Sequence, residues 1–79
     1  MPTLFYIFGL RFYFYSDEHL PIHIHVQNGD GRAKIEISPN IKLIYNKGIK
    51  ANDIKKAITI ANEFSEKIIE KWHEYFDED

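Results

Sequence analysis

Ile22-His23-Ile24-His25-Val26-Gln27-Asn28-Gly29-Asp30-Gly31-Arg32-Ala33-Lys34-Ile35-Glu36-Ile37 reads as two strands and the turn between them. Asn28-Gly29-Asp30-Gly31 is strong hairpin chemistry, because Asn and Gly accept positive φ cheaply. Successive strand residues point to opposite faces. Ile22, Ile24 and Val26 therefore share one face with Ala33, Ile35 and Ile37. His23, His25, Gln27, Arg32, Lys34 and Glu36 share the other. One face is apolar, and the other is an array of His, Lys and Arg.

Upstream the pattern repeats. Residues 3–8 are β-prone and apolar on both sides, which predicts a central or covered strand. Gly9-Leu10 makes a tight connection into residues 11–16, Arg-Phe-Tyr-Phe-Tyr-Ser. There Phe12 and Phe14 join the apolar face, while Arg11, Tyr13 and Tyr15 join the polar one. Residues 16–21 form a loop, since Ser16, Asp17 and Pro21 are turn residues and Pro21 disfavours helix at Leu20. Downstream, Ser38-Pro39-Asn40 ends the fourth strand, and a short fifth strand is admissible at residues 41–45 before Asn46-Lys47-Gly48.

From residue 51 to residue 76 the period changes to that of a helix. Ile54, Ala57, Ile58, Ala61, Phe64, Ile68, Trp72, Tyr75 and Phe76 fall on one stripe at three- and four-residue spacing. Asp53 sits in the first turn and His73 near the end, each suited to the helix dipole there. A helix of that length runs roughly 40 Å, longer than strands of five or six residues, so it must overhang the sheet or break. The expected fold is α+β: one domain over residues 1–79, an antiparallel meander of four to five strands at about 3–46, and one long C-terminal helix at about 51–76 packed on one face. That leaves the opposite sheet face open, with edge strands to spare.

Composition narrows the function. There is no cysteine, which removes disulfides and thiolate metal sites. The apolar start lacks a basic n-region and a small-residue cleavage site and is too short to span a bilayer, so a cytoplasmic protein without a membrane partner is expected. The net charge of −2 hides an asymmetry: residues 32–56 carry +5 and residues 57–79 carry −5. Charge so divided steers partners of opposite sign.

Three chemistries suit the polar face. Tyr and Arg are enriched at binding hot spots, so Arg11, Tyr13, Tyr15, His19, His23, His25, Arg32 and Lys34 describe a surface for a protein partner or a second copy. His23 and His25, two residues apart on a strand, can reach one ion, with His19 or Glu18 as a third ligand. A divalent metal such as zinc would suit these donors, although no cofactor is required by the rest of the sequence. Histidine also serves as general acid or base, and tyrosines on a sheet stack bases, which describes a small enzyme acting on RNA. Whether the chain is an enzyme is left open by the residues alone; a binding role fits most of the face.

The chain resembles a known family of small bacterial proteins, the domain of unknown function 4160. The resemblance rests on Met1-Pro2-Thr3, residues 11–16, Glu18-His19-x-Pro21-x-His23-x-His25-Val26, Gly29-Asp30-x-x-Ala33-Lys34-Ile35, Asn46-x-Gly48, and Trp72-His73-Glu74-Tyr75-Phe76. Ile22 stands where relatives usually have proline, and Phe64 where they often have histidine after Glu63. If that histidine completes a site with His23 and His25, this chain lacks it. The resemblance implies one half of a two-gene module similar to a toxin–antitoxin pair, acting by binding a protein encoded next door. Its alternative is a small nuclease-like toxin or metal-dependent hydrolase using His23 and His25. It assigns no catalytic residue.

Overall fold

A computed structural model describes residues 3–15 and 19–76. Five strands, β1 (Thr3–Ile7), β2 (Leu10–Tyr13), β3 (His23–Asn28), β4 (Gly31–Glu36) and β5 (Lys42–Lys47), precede two helices, α1 (Ala51–Glu63) and α2 (Ser65–Phe76). The sheet is antiparallel in the order β1-β2-β3-β4-β5. The meander is as expected, and the fifth strand is a full member of it; β1, expected to be central or covered, is instead an edge strand whose residues are exposed or half-buried.

The apolar rows follow the alternation. Phe12 pairs Val26, Val26 pairs Ala33, and Ile24 pairs Ile35. All five are buried, and Ile54, Ala57, Ile60, Ala61, Ile68 and Trp72 of the helices close over them. Burying each large aliphatic side chain contributes roughly 1.5–3 kcal/mol, so these rows hold the helix layer to the sheet.

The single helix expected over residues 51–76 is instead two, separated at Phe64 (φ −103°, ψ 18°). The hydrogen-bond spine runs past the break, from the Phe64 N–H to the Ile60 carbonyl and from the Ile68 N–H to the Phe64 carbonyl, both 2.9 Å. Of the two outcomes that length allows, the helix takes the break. The Phe64 ring meets Phe5 of β1 edge-on at 5.3 Å. Beyond it, Trp72 and Phe76 gather around Phe14 at 5.5 and 5.3 Å. The predicted stripe is otherwise inward, save that Phe64 and Tyr75 are exposed and Ile60, outside the predicted set, is buried.

Two close approaches lock the layers. A Cβ on Gly31 would lie 2.8 Å from the Gly48 carbonyl group and 2.9 Å from Ile49 Cγ1. Only glycine lets the β5–α1 connection cross the β3–β4 hairpin. Asn28 Nδ2 then donates to Asp53 Oδ2 at 3.0 Å, tying that hairpin's turn to the first turn of α1.

Both sheet edges are interrupted, by a register shift between Thr3 and Phe5 on β1 and one opposite Lys34 and Ile35 on β5. Bulges and edge lysines such as Lys42 and Lys47 discourage strand addition.

The β1–β2 turn contains a costly residue. Phe8 (φ 55°) and Gly9 (φ 76°) both have positive φ, as a two-residue hairpin turn requires, yet the Phe8 ring is 72% exposed. Asn-Gly is the favoured pair there, and a bulky residue with positive φ costs about 1–2 kcal/mol. Phe8→Asn is expected to raise stability by about 1 kcal/mol, read as a higher urea midpoint at unchanged slope; a lower midpoint would mean that Phe8 contributes packing.

Candidate functional site

The polar face is organised in rows that cross the sheet. Thr3 pairs Tyr13, Tyr13 pairs His25, His25 pairs Lys34, and Lys34 pairs Tyr45, so one row runs through every strand. A second row runs beside it: Tyr6, Arg11, Gln27, Arg32 and Lys47. His23, Glu36 and Lys42 begin a third. The alternation thus gathers Arg11, Tyr13, His23, His25, Arg32 and Lys34 on one surface, as expected, and adds Tyr45 and Lys47. Those two follow from the same alternation once β5 exists, two residues apart on one strand.

The face is not uniformly open. Tyr13, His23 and His25 are only 3%, 5% and 3% exposed. They are covered by one another and by their neighbours. Tyr15 stacks on His25 with centroids 3.9 Å apart, and Tyr13 stacks on it at 5.5 Å. His23 meets His25 edge-on at 5.2 Å and Trp72 at 5.2 Å. Trp72 therefore joins the site to the helix layer, a contact across elements that strand alternation alone does not reveal.

His23 is held in one tautomer. Its Nδ1 lies 2.8 Å from the Pro21 carbonyl oxygen. A carbonyl only accepts, so Nδ1 carries the hydrogen, and in the neutral ring Nε2 is the basic nitrogen. Burial, and then Tyr15, raise the Tyr13 phenol above its usual value, while Arg32 and Arg11 act in the opposite direction. Tyr13 remains a neutral phenol at physiological pH.

Around this recess lie cations. The Arg11 guanidinium sits 4.4 Å from the Tyr13 ring centroid and donates to Thr3 Oγ1 at 3.0 Å and Gln27 Oε1 at 3.1 Å, both neutral acceptors. Lys47 Nζ is 5.2 Å from the Tyr45 ring centroid. Among the described residues no carboxylate forms an ion pair with Arg11, Arg32, Lys34 or Lys47. A concavity of about 330 Å³ opens here, lined by Tyr15, His19, Leu20, Pro21, His23, His25, Lys34 and Tyr45. A larger hollow of about 550 Å³ at the helix break is walled by Glu63, Phe64, Glu66, Lys67 and Glu70, without comparable chemistry. The smaller one is the candidate site.

His19 stands at the lip of that concavity, exposed, while His23 and His25 lie within it. Among the described residues no three His, Cys, Asp or Glu side chains form a group that could hold a metal ion. The trio His19, His23 and His25 is thus not assembled as a metal centre, and Glu18 lies outside the described residues. His73 sits in the last turn of α2, where the dipole favours it.

Fold and site together define a class: a small α+β protein whose five-stranded sheet is backed by helices on one face and carries a basic, aromatic recess on the other. The chain belongs to the family described as Domain of unknown function (DUF4160), whose model matches residues 9–73 and so contains every residue of the recess. No curated protein and no solved structure gave a match. Among the described residues no helix is long and apolar enough to cross a membrane.

Proposed function

We propose that the protein is the binding component of a toxin–antitoxin-like pair encoded by adjacent bacterial genes, and that it acts in the cytoplasm through its Tyr/His/Arg face. The observation that carries this reading is the set of cations Arg11, Arg32, Lys34 and Lys47, without ion-pair partners among the described residues, beside the recessed Tyr13–Tyr15–His25 stack. Surface charge that forms no ion pair within its own fold is available to a partner of opposite sign, and it acts chiefly on encounter rate and specificity. The accessible rings beside it, Tyr15 and the half-buried Tyr45, supply contact area, while Tyr13 and His25 hold Tyr15 in place from beneath. The bulged edges of β1 and β5 favour face-on docking over strand addition.

Co-expression with the untagged product of the adjacent gene, followed by size-exclusion chromatography, tests the proposal. Co-elution as one complex is expected, with the complex lost in Arg32→Glu, Lys47→Glu. Elution of both proteins as separate species would overturn the reading, and a complex formed only between copies of this chain would assign the face to a second copy.

A further inference from the structure

We infer that the face takes single-stranded nucleic acid, with one base seated in the recess and the phosphate chain running along the basic row. The inference goes beyond the proposed protein-binding role and adds a second ligand for the same face. Sheet-face aromatics bind single strands by stacking, and a groove of cations tracks the backbone. Both features are present in register. Tyr15 stacks on His25 and remains 36% exposed, and Tyr45 lines the same concavity. A volume of about 330 Å³ suits one nucleotide rather than a duplex. Lys34 lines the concavity too, paired to His25 on one side and Tyr45 on the other. Arg11, Arg32 and Lys47 continue from β2 to β5, a run of about 14 Å at the usual strand spacing.

The remainder of the molecule supports orientation rather than adhesion. Among the described residues, the sheet and its connections (3–15 and 19–47) carry a formal charge of +3 and the helices (51–76) carry −1. A polyanion is drawn to the sheet side rather than to the helix layer. Tyr15, still partly exposed beside the rim, adds a ring on which a base can stack. The buried Tyr13, pushed toward its neutral form, cannot itself repel phosphate.

Fluorescence anisotropy with labelled RNA and DNA single strands of about 12 nucleotides, and with the matching duplex, tests this. Binding to a single strand, RNA or DNA, is expected to exceed that to the duplex and to weaken steeply between about 50 and 200 mM salt. Arg32→Glu, Lys47→Glu should reduce the log–log salt slope by about 1.4, since each lost phosphate contact on a single strand removes about 0.7. Tyr45→Ala should weaken binding about tenfold or more while leaving that slope unchanged. Equal affinity for the duplex, or full affinity in both variants, would overturn the inference. If neither oligomer binds while the adjacent gene's product still co-elutes, the inference fails and the binding-face reading stands. If neither oligomer nor protein binds, both fail.

Discussion

Trp72→Ala is expected to destabilise the protein by about 3–5 kcal/mol, the usual cost of truncating a buried aromatic. A chain of this length has roughly 4–12 kcal/mol in total, so the variant should be largely unfolded at modest urea concentrations. The size of the effect follows from what the indole touches. It is 3% exposed and contacts Phe14 at 5.5 Å, Phe76 at 4.7 Å and His23 at 5.2 Å between ring centroids. Its loss opens a cavity between α2 and the sheet and removes one of the rings that cover His23. Trp72 is the sole tryptophan, so the measurement is far-UV circular dichroism against urea rather than intrinsic fluorescence. A midpoint near that of the wild type would mean that α2 is not a structural part of the core.

The second large effect concerns binding and leaves the fold alone. Arg32 and Lys47 are exposed neighbours in one cross-strand row, with no ion pair among the described residues. Reversing both changes the local charge by about four units, replacing attraction by repulsion at the rim. A loss on the order of a hundredfold in affinity for the adjacent gene's product is expected. Exposed substitutions away from special features usually shift stability by no more than about 0.5 kcal/mol. Calorimetric titration and a urea melt on the same sample separate the two quantities. Unchanged affinity would remove these cations from the interface.

The meander was legible because its signals are local. Asn28-Gly29-Asp30-Gly31 specifies a turn, and alternation on either side assigns faces. A break was one of the two outcomes the helix length allowed, but its position was not legible. Ile60, Phe64 and Ile68 keep an unbroken four-residue spacing, so the pattern runs through the position where the axis changes. At the break Phe64 meets Phe5 of β1, a contact between residues far apart in the chain that a helical period does not show. Alternation placed His23 and His25 on the polar face, yet their burial comes from Tyr15, the Leu20-Pro21 segment and Trp72, which belong to other elements. Which side a residue faces is a matter of period. Whether anything covers it there is decided by packing.

Residue-resolved NMR of the isotopically labelled chain, titrated with the unlabelled product of the adjacent gene, tests most directly that this face is the working surface. Amide shifts are predicted to change at Tyr13, Tyr15, His25, Arg32, Lys34, Tyr45 and Lys47, which share the polar rows and the recess. Glu66, Glu70 and Glu74 on α2 should stay where they are. Changes confined to α1 and α2, with the sheet face untouched, would contradict the account.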